Sequence, residues 1–215
     1  MNGRRAALIS VDSVSGTAAE AAGRAVLASA ARARRGGIST WDASGLFQDL
    51  AAAGGEAGAP SARTLLLLYA ADLAFRLRWE IRPALAEGRV VVAAPYVDTA
   101  IALGRAAGLR SGWLTNLFGF APPPDESRYV DLLPLETAAG DAGLLEFAWC
   151  QTVGMVVSLS REQLFDRAGV QLRILARRAG RRAAAPTART AVATPGSRTT
   201  RRSEPGSAPG LPRVP

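Results

Sequence analysis

The turn Asp12-Ser13-Val14-Ser15-Gly16-Thr17 is the segment whose residue types could do chemistry. It follows a short apolar run of strand length, Ala6–Val11, and precedes an alanine-rich helical pattern over residues 18–35. A strand, a small-residue turn with glycine and a helix N-terminus together aim backbone N–H groups at an anion such as phosphate. The plainer reading is a strand-to-helix turn capped by a Ser or Thr hydroxyl. Asp12 and Asp131 could ligate a metal, although loop solvation or capping accounts for each as well. Cys150 is the only cysteine; it lies in the apolar run Phe147–Cys150 and reads as a buried structural thiol.

The chain's charged residues limit what that turn could do. There are 26 basic and 18 acidic side chains in 215 residues, every basic one is arginine, and histidine is absent. Without lysine there is no Schiff base and no phosphate-gripping P-loop lysine. Without histidine there is no Ser-His-Asp or Cys-His unit and no histidine-ligated metal. Residues 177–215 hold nine arginines and one acid, Glu204, for +8; residues 1–176 hold 17 of each sign, for zero. The pI of 11.1 therefore belongs to a basic tail on a neutral body. A disordered arginine-rich tail would contact nucleic acid or an anionic surface weakly, through phosphates. The alternative is a solvated low-complexity extension reflecting compositional bias. No stretch reaches the 18 apolar residues of a membrane span, and no signal segment is visible, so the expected location is cytoplasmic.

The elements that position the turn follow from periodicity. Arg32, Arg34 and Arg35 before Gly36-Gly37 suggest a helix C-terminus. Ile38–Trp41 suits a short strand, and Ser44 a cap for a helix reaching Ala53. Residues 61–87 read as one long helix or two abutting ones, with Leu66, Tyr69, Ala70, Leu73, Leu77, Ile81 and Leu85 on one stripe and a break at Pro83. Arg89–Ala94, with three consecutive β-branched valines, suits a strand buried on both faces. Helices are expected over residues 97–107, 111–120, 140–149 and from Arg161 to about Ala179, and strands over 129–133 and 153–159. Strands alternating with helices predict an α/β fold with a mostly parallel sheet, here five-stranded and three-layered, in a body of residues 1–180. Residues 181–215, rich in Arg, Pro, Ser and Ala, are expected to be a disordered tail.

The segment from Leu66 to Ala102, LLLYAADLAFRLRWEIRPALAEGRVVVAAPYVDTAIA, resembles thymidylate kinases, P-loop nucleoside-monophosphate kinases. It is similar to their Leu-Leu-Phe-Ala-Ala-Asp-Arg helix, Ile-x-Pro-Ala-Leu helix end, glycine and strand ending in Asp-Arg-Tyr. Pro124-Asp125 and the strand reaching Asp131 look like a further family element. The resemblance implies the family scaffold but with degenerate motifs. Against the phosphate loop Glu-Gly-x-Asp-Gly-x-Gly-Lys-Thr-Thr stand residues 10–19, with Asp12, Ser13, Ser15, Gly16 and Thr17; no register supplies the lysine. The phosphate-binding arginine of Thr-Arg-Glu-Pro becomes Trp41. Asp-Arg-Tyr becomes Ala94-Pro95-Tyr96, the base-reading arginine becomes Leu73, and two later substrate contacts become Ala100 and Leu103. Tyr69 stands where the family stacks a phenylalanine on thymine, although core packing is the simpler role. Leu133–Thr152 contains no arginine where the family has its lid, so the lid looks reduced or absent.

Phosphoryl transfer needs positioned Lys, Arg and Mg²⁺, and one arginine finger alone is worth roughly 10³–10⁵ in rate. The resemblance therefore implies a scaffold without catalytic residues or a metal site. ATP and Mg²⁺ would be cofactors only if family activity persists. The implied role is an interaction or regulatory partner, as a homodimer or a heterodimer with a related kinase. Two alternatives stand: a divergent dTMP kinase or nucleotide binder, and a nucleic-acid tether acting through the tail.

Overall fold

The computed structural model describes residues 6–31, 35–52, 60–130 and 161–184. Among them are four strands: β1 (Ala7–Asp12), β2 (Gly36–Thr40), β3 (Val90–Ala94) and β4 (Glu126–Tyr129). They form one parallel sheet in the order β2-β3-β1-β4. Four strands stand where five were expected; the expected fifth, at 153–159, lies outside the described residues, as do the helix at 140–149, Asp131 and Cys150.

Parallel strands need covered faces, and both faces are covered. Successive strand residues point to opposite sides. Leu8, Val91 and Ala93 enter one apolar cluster, and Ile9, Val11, Val90, Val92 and Ala94 enter another. Helix α1 (Gly16–Ala31) covers the second cluster through Ala22, Val26 and Leu27. The first is covered by α3 (Ala62–Arg76), α5 (Val97–Ala106), α6 (Ser111–Leu117) and α7 (Arg161–Ala184), giving the expected three layers. Between them, α2 (Leu46–Ala52) contributes Phe47. Gly104 of α5 has a packing reason: a Cβ there would lie 2.5 Å from Leu114 and 2.8 Å from Leu66.

Several boundaries depart from the sequence expectation, each for a physical reason. Among the described residues α1 spans Gly16–Ala31, and Gly36-Gly37, expected just past a helix end, open β2. The strand passes so close to α1 that a Cβ on Gly36 would sit 2.5 Å from Leu27. The 61–87 segment is three pieces. Ser61 caps α3 by accepting from Thr64 N at 3.1 Å, a π-helical turn spans Leu77–Ile81, and α4 runs Arg82–Ala86. Pro83 lacks an N–H and its ring crowds the carbonyl four residues back, so the widened turn directly precedes it. Gly88, at φ 75°, ends the run. The stripe from Leu66 to Ile81 is buried as its spacing predicts.

β4 begins three residues before the expected 129–133. Asp125 anchors it: its N–H donates to Leu8 O at 2.8 Å, and its Oδ2 accepts from Leu8 N at 2.9 Å. α7 runs through Ala184, past the expected end near Ala179.

Candidate functional site

The carboxyl ends of β1, β2 and β3 meet on one edge of the sheet, where parallel α/β folds place their ligands. Asp12 ends β1 and is buried. Its Oδ1 accepts three hydrogen bonds: from Tyr96 N at 3.0 Å, Thr99 N at 2.9 Å and Thr99 Oγ1 at 2.9 Å. The first turn of α5 is thus capped by a side chain from another element. Burial pushes the Asp12 carboxyl up to about 7; the Asp98 charge adds to this, and the donors from Thr99 and Tyr96 oppose it. Asp98 in turn accepts from Tyr129 Oη at 2.6 Å, and burial followed by this bond raises the Tyr129 phenol.

The small-residue turn closes on itself. Ser13 N donates to Thr99 Oγ1 at 3.2 Å and Ser15 N to Ser13 Oγ at 3.2 Å. Ser15 Oγ accepts from Ala18 N at 3.1 Å, an N-cap for α1, and lies 3.2 Å from Thr17 Oγ1. Gly16 is the first residue of α1, and Thr17 is exposed. Arg24, the next cation along α1, pairs with Glu20 on the exposed face.

The other sequence candidates pack inward. Tyr69 is fully buried, donates to Tyr96 O at 2.7 Å and meets Phe118 edge-on at 6.1 Å. Burial raises its phenol, with Arg76 pulling the other way. Ala94 is buried at the end of β3, the Ala94–Pro95 peptide is cis, and Tyr96 Oη donates to Pro122 O at 2.9 Å. Burial pushes the Tyr96 phenol up to about 12. Trp41 packs on Phe47 at 4.9 Å, and Leu73, Ala100 and Leu103 are core residues.

Two residues at this edge escaped the sequence reading. Arg76 is fully buried; its Nε donates to Ser39 Oγ at 2.9 Å, and its Nη2 to Ser39 O at 2.8 Å and Pro95 O at 3.0 Å. Ser39 Oγ in turn donates to Glu80 Oε2 at 2.6 Å. Arg76 Nη1 is buried with no hydrogen-bond partner among the described residues. Asp72, also fully buried, holds the loop after β2: Oδ2 accepts from Asp42 N at 3.0 Å, and Oδ1 from Ser44 N at 3.0 Å and Ser44 Oγ at 2.9 Å. The α2 cap is shared: the Asp42 carboxylate accepts from Phe47 N at 2.8 Å and Gln48 N at 2.9 Å, and Ser44 Oγ accepts from Leu46 N at 3.4 Å. The available signal was spacing: positions 69, 72, 73 and 76 share one helix face, so a charge at 72 or 76 had to be buried.

Among the described residues there is no group of three or more His, Cys, Asp or Glu side chains that could hold a metal. Nor is any described helix long and apolar enough to cross a membrane.

No family profile matches the chain. A 66-residue segment is 42% identical to a probable thymidylate kinase of Pyrococcus horikoshii and 41% identical to one of Pyrococcus abyssi, covering 31% of this chain and 32% of each relative. The match thus spans about a third of the length of those curated relatives. In three dimensions the chain resembles the crystal structure of thymidylate kinase from Ehrlichia chaffeensis, with TM-score 0.57, 12% identity and coverage of 81% of this chain and 88% of that one. That likeness is one of fold.

Proposed function

From the thymidylate kinase P-loop fold that this chain has, we propose a scaffold that no longer transfers phosphoryl groups and acts by associating with another protein. One observation carries the first half: the polar groups at the end of β1 are committed to the protein itself. Asp12 Oδ1 takes three donors from the turn into α5, and Ser15 Oγ takes the Ala18 amide. A Mg²⁺-bound triphosphate does not fit these residues. The chain has no lysine to meet its charge, and Gly16, Thr17 and Ala18 stand where a lysine and a hydroxyl ligand are needed. A second reading, residual nucleotide binding, is favoured by the unpartnered Arg76 Nη1 at the ends of β2 and β3.

Calorimetry with ATP and dTMP, each with and without Mg²⁺, separates the two. The first reading expects no saturable heat up to millimolar ligand and no ADP in a coupled assay. Saturable dTMP binding lost in Arg76→Met supports the second reading, and turnover refutes the first.

The association half rests on α3 and the turn after it. Leu67, Phe75 and Trp79, at successive spacings of eight and four residues, are 50%, 39% and 64% exposed and form an apolar stripe opposite the buried one. On this reading the stripe meets a second copy of the chain or an active kinase of the same scaffold. Trp79→Glu is expected to weaken association by about 2 kcal/mol, roughly thirtyfold in Kd. Sedimentation equilibrium, alone and mixed with an active thymidylate kinase, measures it; association indifferent to Trp79→Glu removes this surface from the proposal.

A further inference from the structure

We infer that the outer face of α7, with the cleft between it and the end of α5, is a docking surface for the phosphate backbone of duplex nucleic acid. After Asp166 the helix carries six arginines and no acid. At 100° per residue, Arg167, Val170, Ile174, Arg177, Arg178 and Arg181 fall within an arc of about 100°. Ala168 and Leu172, on the opposite side, are buried. The four arginines of this stripe are exposed and have no ion-pair partner among the described residues. The stripe extends roughly 21 Å from Arg167 to Arg181 at 1.5 Å per residue.

The inner end of the stripe opens on a cleft of about 490 Å³ lined by Arg105, Gly108, Asp166, Arg167, Val170 and Gln171. Arg105 Nε is buried there with no hydrogen-bond partner among the described residues. Asp166 shares the cleft and pairs with neither guanidinium. The cleft lies at the end of α5 away from Asp12, so it is separate from the sheet edge described above.

This pattern does not stabilise the helix. Arg173–Arg177 and Arg177–Arg181 are like charges four residues apart, each costing about 0.2–0.5 kcal/mol; the helix dipole offsets part of this in the last turn. Charge complementarity selects a polyanion. A membrane-surface helix would need to lay its apolar face in lipid, and here Leu164, Phe165 and Leu172 are buried in the core. Single strands are held by aromatic stacking, and the stripe holds no aromatic residue. A duplex, with a charge every 1.7 Å or so, needs only spaced guanidiniums.

The test uses the full chain and a fluorescent DNA duplex of about 20 base pairs, with anisotropy read between about 50 and about 200 mM salt. Replacing Arg167, Arg177, Arg178 and Arg181 by Gln keeps helix propensity, which circular dichroism verifies. The expected loss is at least tenfold in affinity, with the log–log salt slope reduced by about 3. The milder pair Arg178→Gln with Arg181→Gln reduces it by about half as much. The inference is overturned if the parent does not bind the duplex, or if the fourfold variant binds like the parent. It is equally overturned if binding is lost only on replacing Arg189, Arg198, Arg201, Arg202 and Arg213, or if anionic vesicles compete better than duplex.

Discussion

Replacing Asp12 by asparagine is expected to stabilise the protein at about pH 8 and to flatten its stability profile between about pH 4 and pH 7. The carboxyl of Asp12 is raised from 3.8 to about 7 in the folded state, by burial first and by Asp98 second. Within that window the folded chain holds a proton that the unfolded chain has released. Stability therefore falls as pH rises, by about 1.4 kcal/mol per unit, up to ~4 kcal/mol once the folded group ionises above about pH 7. All three donors converge on Oδ1, an oxygen that asparagine retains. Asp12→Asn thus removes the buried charge while keeping the α5 cap. Urea unfolding of parent and variant at about pH 5 and about pH 8 measures the effect. A parent more stable at the higher pH, or a variant destabilised equally at both, would show that the α5 amides hold the carboxylate charged.

That buried acid also shows where sequence reasoning reaches and where it stops. The β1–turn–α1 unit was legible because an apolar run, a small-residue turn and an alanine-rich stretch are local signals. β3 and the stripe from Leu66 to Ile81 were legible because three consecutive valines in an apolar run and helical spacing each report burial directly. Asp12 as the cap of α5 was not legible. Its partners are more than 80 residues away, and no local pattern encodes that contact. The start of β4 was missed for the same reason: Asp125 sets the register through Leu8, and neither apolar alternation nor propensity registers a carboxylate bound to a distant backbone amide. Ser44 keeps Leu46 N while donating to Asp72, but the Phe47 and Gln48 amides of α2 go to Asp42, a division set by tertiary structure. Arg76 could have been flagged by spacing, but its role depends on β2 and β3 ending beside it.

The contact between Ser44 and Asp72 leads to the other large effect: Asp72→Ala is expected to cost about 4 kcal/mol. Three donors lose their acceptor at once, Asp42 N, Ser44 N and Ser44 Oγ, around a fully buried carboxylate. Hydrogen bonds to a charged group contribute about 1.5–3 kcal/mol each, and they do not add fully within one loop. The damage spreads because the loop is not self-supporting. Asp42 sits at φ 56°, a left-handed conformation that costs a non-glycine residue about 1 kcal/mol or more and persists only under outside constraint. The same residue caps α2 and thereby seats Phe47 in the core. Ser44→Ala removes only one of the three donors and should cost about 1 kcal/mol. In this body the larger loss corresponds to a melting temperature roughly 10 °C lower, read by calorimetry. An Asp72→Ala variant within about 1 kcal/mol of the parent would mean that water replaces the carboxylate and the loop holds its shape without it. The larger loss would instead mark Asp72 as the structural anchor of the loop between β2 and α2.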